Sequence, residues 1–136
     1  MKLGVKNGIF ERLSEKKKIL FLEDEKELLT TVSMLLRDQG YQVIDAEKGE
    51  DALTLAAETT PDLILADIKL PGIDGFDFLK SVRQLKACEK VPFVFLTAFN
   101  DLKAMMNAKK QGASEYITKP FDVEYLVTRI KELVPP

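Results

Sequence analysis

The chain has 136 residues, 46% apolar and 31% charged, with a net charge of −2; that is enough for one domain with a real core and argues against a surface built for nucleic acid. It has no histidine and one cysteine, Cys88, which excludes His-based triads, His metal sites, a phosphohistidine-carrying role and any internal disulfide. No segment has the length of a membrane helix and the N-terminus lacks an apolar signal core, so a cytoplasmic protein without membrane contact is expected.

Residues 1–16 read as an N-terminal extension, with the ordered domain spanning 17–134. Residues 1–18 carry six basic side chains (Lys2, Lys6, Arg12, Lys16, Lys17, Lys18) against two acidic ones. A solvated lead-in explains such an arm, with a partner- or membrane-touching role as the alternative. Ile19–Glu23 is a buried strand. Leu28, Leu29, Val32, Leu35 and Leu36 recur at helical spacing, and Gly40 closes that helix. Tyr41–Ala46 alternates as a second strand. Gly49–Glu58 is a helix with Ala52, Leu53 and Ala56 on one face, stopped by Pro61. Asp62–Asp67 is apolar along its length and predicts a strand covered on both faces. The turn Pro71-Gly72-Ile73-Asp74-Gly75 leads into a helix over Phe76–Ala87, near whose end Cys88 reads as a structural thiol. Val91–Thr97 is the fourth strand. Asp101–Gln111 is a helix ending at Gly112, with one of Met105 and Met106 expected in the core. Ser114–Thr118 is a short fifth strand. Phe121–Leu133 is the last helix, with Val123, Leu126, Val127 and Ile130 facing inward.

Five β-α units predict a single doubly wound (βα)5 domain of α/β class, with a flavodoxin-like parallel sheet in the order 2-1-3-4-5. Parallel strands place their C-terminal ends on one edge. The polar residues ending the apolar runs (Glu23, Asp24, Asp67, Thr97, Lys119) therefore converge, the first three at the switch point between strands 1 and 3. Three carboxylates repel one another unless a cation or protons intervene. Without histidine or clustered cysteine, hard oxygen ligands point to Mg²⁺, whose natural further partner is phosphate. A carboxylate between a metal and the Lys119 ammonium suits phosphoryl transfer, so Asp67 is the expected nucleophile forming an acyl phosphate. Each residue also has a local explanation. Asp67 can cap a turn, Glu23-Asp24 can cap a helix, Thr97 suits a strand end and Lys119 can be solvated. The combination is what carries the reading.

The motifs Ile-Leu-Phe-Leu-Glu-Asp-Glu at 19–25, Asp-Ile-Lys-Leu-Pro-Gly-Ile-Asp-Gly at 67–75, Phe-Leu-Thr-Ala at 95–98 and Tyr-Ile-Thr-Lys-Pro-Phe at 116–121 stand in one order across Lys17–Leu133. Together they resemble the receiver domain of bacterial two-component response regulators. The resemblance implies that Glu23, Asp24, Asp67 and the backbone carbonyl of Lys69 hold Mg²⁺, and that Asp67 accepts the phosphoryl group. It implies Thr97 as the switch hydroxyl that turns toward the phosphate, Lys119 as the lysine that pairs with the phosphate, Tyr116 as the switch aromatic and a cis Lys119–Pro120 bond. The implied donor is a sensor histidine kinase or a histidine phosphotransfer protein. The implied receiver of the signal is an output domain or protein docking on the helix 4–strand 5–helix 5 surface, and phosphorylation-dependent homodimerisation is compatible with it. Such a domain is a phosphoacceptor switch with self-catalysed phosphotransfer and autodephosphorylation, not an enzyme acting on an outside substrate. Phe99 and Lys69 flank the path of an attacking water, and Phe99 has no group to orient it, so slow self-dephosphorylation is expected; the small Ala98 leaves the acceptor accessible. No output domain follows residue 133, which leaves a stand-alone receiver or the start of a linker at Pro135-Pro136. Three alternatives fit less well. An aspartyl phosphatase wants a second acid where Lys69 stands. A flavin carrier wants a phosphate loop where Glu23-Asp24-Glu25 stands. An interaction module that is never phosphorylated does not need the complete acidic set.

Overall fold

The computed structural model describes residues 16–136. The predicted extension, apart from Lys16, lies outside the described residues. Strands β1 (Lys18–Leu22), β2 (Gln42–Ala46), β3 (Leu63–Ala66), β4 (Phe93–Thr97) and β5 (Glu115–Thr118) form one sheet in the order β2-β1-β3-β4-β5. Every pairing is parallel. The helices are α1 (Lys26–Asp38), α2 (Gly49–Thr59), α3 (Gly75–Val82), α4 (Leu102–Lys110) and α5 (Val123–Leu133).

Alternate residues of the central strands feed two separate cores, because successive side chains leave a strand on opposite faces. Ile19, Phe21, Leu63, Leu65, Val94 and Leu96 pack with α1 and α5. Leu20, Leu22, Ile64, Ala66, Phe93 and Phe95 pack with α2, α3 and Ala108 of α4. This two-sided cover explains why β1, β3 and β4 read as unbroken apolar runs.

Gly40 ends α1 at φ +103°. Its N–H donates to the Arg37 carbonyl at 3.0 Å and the next N–H, from Tyr41, donates to the Leu36 carbonyl at 3.2 Å. This is the Schellman closure that a left-handed residue permits. It seats the Tyr41 ring in the core, where the hydroxyl donates to the Val134 carbonyl at 2.6 Å and ties the end of α5 to the end of α1.

Several local expectations are corrected. The third helix stops at Val82 rather than running to Ala87. Arg83 turns its guanidinium onto the carbonyls of Cys88 (2.8 Å), Val91 (2.7 Å) and Gly112 (3.0 Å), and the chain tightens into a 3-10 turn at Lys86–Cys88. That turn carries Cys88 into the core, and burial raises its thiol pKa, as befits an unreactive structural thiol. Strand β4 begins at Phe93, not Val91, after Pro92, which has no N–H to give a ladder. Neither Met105 nor Met106 enters the core, being 36% and 65% exposed; α4 meets the sheet through Ala104 and Ala108. Val123 is 46% exposed in the first turn of α5, whose inner stripe is Leu126 and Ile130 with Val127 half-buried. Among the described residues no helix is long and apolar enough to cross a membrane.

Candidate functional site

The sheet register assembles the site. Leu22 of β1 lies opposite Ala66 of β3, so Glu23 and Asp67 emerge side by side. The ladder continues past the strands: Asp67 N–H donates to the Leu22 carbonyl (3.0 Å), Glu23 N–H to the Ala46 carbonyl (3.0 Å) and Lys119 N–H to the Thr97 carbonyl (2.8 Å). Glu23, Asp67 and Lys119 are therefore held by their backbones before their side chains make any contact. Glu23 and Asp67 are buried and Asp24 is exposed, and one carboxylate oxygen from each lies within 4.8 Å of the others.

Lys119 closes the group. Its Nζ lies 2.9 Å from Glu23 Oε1 and 2.9 Å from Asp67 Oδ2. Asp67 Oδ1 accepts from the N–H groups of Ile68 (2.6 Å) and Lys69 (3.3 Å), and Glu23 Oε2 accepts from Glu25 N–H at 3.1 Å. Burial raises the Glu23 carboxyl above its ordinary pKa, although the Lys119 and Glu25 hydrogen bonds and the Lys119 charge oppose it. For Lys119, burial alone would lower the ammonium pKa. The hydrogen bonds and charges of Asp67 and Glu23 together outweigh it and hold the ammonium above its usual value.

The remaining residues sit at the neighbouring strand ends. Thr97 is fully buried and its Oγ1 accepts from Phe99 N–H at 3.2 Å. Tyr116 on β5 is half-buried, its ring 5.9 Å from that of Phe95, and its hydroxyl donates to the Phe99 carbonyl. Burial raises its phenol pKa, and the charges of Asp101 and Asp67 add to the effect. The Lys119–Pro120 bond is cis, as the resemblance implies. Lys69 sits in the β3–α3 loop with its ammonium 4.6 Å from the centre of the Phe99 ring.

The donor set fits Mg²⁺. It consists only of hard oxygens, and three carboxylates face a single ammonium, leaving an excess negative charge that a divalent cation matches. Spacing along the chain misses two features of the site. The Lys119 ammonium is shared with Glu23 as well as Asp67, and Phe99 joins the end of β4 to Tyr116 of β5 and to Lys69 in the β3–α3 loop. No sequence signal marks either, because both depend on where loops fold back.

Comparison with known proteins identifies relatives of the chain. The family model described as the response regulator receiver domain matches residues 19–131. The phosphate regulon transcriptional regulatory protein PhoB of Escherichia coli is 36% identical over 118 residues, covering 87% of this chain and 52% of that protein. Sporulation initiation phosphotransferase F of Bacillus subtilis is 30% identical, covering 87% of this chain and 94% of that protein. Among solved structures, the receiver domain of a Pseudomonas aeruginosa sensor histidine kinase, with a magnesium ion coordinated in its active site cleft, has a TM-score of 0.80 at 28% identity, covering 89% of this chain and 99% of that one. The chain spans about half the length of several transcriptional regulators that it matches.

Proposed function

The chain belongs to the response regulator receiver domain family, and from that premise we propose that Asp67 accepts a phosphoryl group from a phosphohistidine under the control of Glu23, Asp24, Thr97 and Lys119. Receiver domains are phosphoacceptor switches of two-component signalling, not enzymes that turn over an outside substrate. The observation that carries the assignment to Asp67 is the Lys119 ammonium at 2.9 Å from its Oδ2, inside a cluster of three carboxylates of which Glu23, on the same ammonium, is more deeply buried than Asp67 and so less open to a donor.

A carboxylate oxygen of Asp67 attacks phosphorus, an O–P bond forms and the P–N bond to the donor imidazole breaks, the imidazole taking a proton from solvent. The N–H groups of Ile68 and Lys69 on Oδ1 fix the carboxylate plane, so attack needs little reorientation. Lys119 follows the negative charge as it spreads onto the phosphoryl oxygens, and Thr97 supplies a hydroxyl to them on turning from Phe99. Glu23, Asp24, Asp67 and the Lys69 carbonyl would hold Mg²⁺, which when bound supplies charge neutralisation to the transferring group.

The receiver unit spans residues 17–134. Phosphorylation adds roughly −1.5 to −2 charge next to Lys119 and Thr97, and whichever arrangement of β4, β5 and their helices binds it better gains population. Exposed Leu102, Met105, Met106, Val123 and Tyr125 make the α4–β5–α5 surface the docking face for the output partner. Phe99 offers no side-chain polar group to align a hydrolytic water, which supports a long-lived phosphoryl group.

The test is incubation with acetyl phosphate and Mg²⁺ followed by intact-mass measurement. One Mg²⁺-dependent phosphoryl adduct is expected on the wild type and none on Asp67→Asn. An adduct of equal yield on Asp67→Asn, or none on the wild type, overturns the assignment.

A further inference from the structure

Phe99 is held by three different elements at once. Its N–H donates to Thr97 Oγ1 at 3.2 Å at the end of β4. Its carbonyl accepts from the Tyr116 hydroxyl on β5. Its ring lies under the Lys69 ammonium, 4.6 Å from nitrogen to ring centre, reaching from the β3–α3 loop. The ring also walls a cleft of about 480 Å³ with Ile68, Leu70, Asp74 and Phe76 beside the acceptor.

These contacts are mechanically linked. Thr97 cannot turn its hydroxyl away while its oxygen is held by Phe99 N–H, unless that bond breaks or the β4–α4 loop moves. Moving that loop draws the Phe99 ring out from under Lys69. On that second route the Lys69 contact opposes a rotation at the end of the neighbouring strand, although Lys69 makes no hydrogen bond to Thr97 or Tyr116.

We propose that Lys69 and Phe99 form a strap across the mouth of the site, and that the strap holds Thr97 in its resting direction. Phe99 acts as a positioning residue through its N–H, and Lys69 acts through Phe99. The strap rests on the reading of Thr97 as the group that turns toward a phosphoryl on Asp67. It adds that this chain sets the ease of turning with a side-chain pair outside the acid cluster. A cation over an aromatic face at an exposed site contributes an attraction equivalent to roughly a two- to fivefold change in a population ratio.

The test uses the full, unphosphorylated chain, with the Thr97 χ1 rotamer ratio read from NMR scalar couplings. The variants are Lys69→Gln, which removes the cation; Phe99→Leu, which keeps apolar bulk but removes the ring; Lys69→Arg, which restores a cation; and the Gln–Leu double variant. Both single changes should raise the minor-to-major rotamer ratio about two- to fivefold. The double variant should add nothing further, as expected of two residues in one interaction. Lys69→Arg should restore the wild-type ratio. An unchanged ratio in both singles, additive effects in the double, or an Arg variant as displaced as the Gln variant overturns the strap. Phosphoryl uptake by the wild type and Phe99→Leu, measured separately by intact mass, tests the receiver reading. Uptake with unmoved rotamers sinks the strap alone, whereas moved rotamers with no uptake sink the receiver reading and, with it, the strap's part in signalling.

Discussion

Replacing Gly75 with alanine should damage both stability and phosphoryl acceptance. Gly75 opens α3, and its N–H donates to the Ile68 carbonyl at 2.8 Å, so the start of the helix lies against the loop that carries Asp67. A Cβ at this position would stand 2.3 Å from the Asp67 carbonyl oxygen and 2.7 Å from Ile68 Cα, where ordinary contact begins near 3.4 Å. Both obstacles are backbone, so the helix or the acceptor loop must retreat by about 1 Å, a misfit of the kind that costs roughly 1–3 kcal/mol. Weakening the Gly75–Ile68 hydrogen bond adds about 0.5–1.5 kcal/mol. The expected loss is about 2–4 kcal/mol, and at about 4 °C per kcal/mol for a domain of this size Tm should fall by roughly 8–16 °C. A 1 Å displacement of a reacting group can cost as much as about 100-fold in rate, so phosphorylation by acetyl phosphate should slow even well below the melting range. Gly72→Ala is the control. Unlike Gly75 it carries a positive φ, +78°, and there the atoms nearest an added Cβ are those of the flexible Glu50 carboxylate. It should lose about 1–2 kcal/mol from left-handed backbone strain and accept phosphoryl at close to the wild-type rate. Urea unfolding and intact-mass time courses on the three proteins decide the matter. A Gly75→Ala protein within about 0.5 kcal/mol of wild type, with an unchanged rate, refutes the close-approach argument.

Other expectations follow from the same contacts. Lys119→Met leaves the fully buried Glu23 carboxylate without its cation; breaking such a pair costs about 3–5 kcal/mol, and a urea midpoint lowered in EDTA but largely recovered in Mg²⁺ is the expected result. Tyr41→Phe strands the Val134 carbonyl and should destabilise by about 1–3 kcal/mol, read by thermal melting; a melt matching wild type would show that water replaces the hydroxyl. Phe99→Asn provides a group able to orient water and should shorten the phosphoryl lifetime about tenfold, equal to ~1.4 kcal/mol of barrier, followed by decay of the mass adduct after donor removal. Equal or slower decay in the variant contradicts the role given to Phe99.

The strand order and the meeting of Glu23, Asp24, Asp67 and Lys119 were readable from the chain because each is a terminal polar residue on an apolar run, and parallel winding carries all such ends to one edge. What could not be read was set by loops and by packing space. Phe76–Ala87 has helical composition, yet Arg83 finds three carbonyls to cap and the helix ends early. Met105 and Met106 are apolar, yet α4 turns Ala104 and Ala108 inward and leaves both methionines on its outer side. The pairing of Lys69 with Phe99 joins residues thirty positions apart whose meeting depends on two loop paths, and no periodicity encodes that.

The way α4 sits on the sheet has a dynamic consequence. Helix α1 buries Leu29, Val32 and Leu36, α3 buries Phe78, Leu79 and Val82, α5 buries Leu126 and Ile130, and α2 packs half-buried Leu53 and Leu55 beside Ala52 and Ala56, whereas the buried side chains of α4 are the two methyl groups of Ala104 and Ala108. At about 0.8 kcal/mol per buried carbon, sliding or tilting α4 forfeits far less than disturbing any neighbour. Amide exchange should accordingly be fastest there among the five helices. The element following Thr97 in the chain is thus the cheapest to displace, so a small change in the acid cluster can reach the surface without loosening the rest of the molecule.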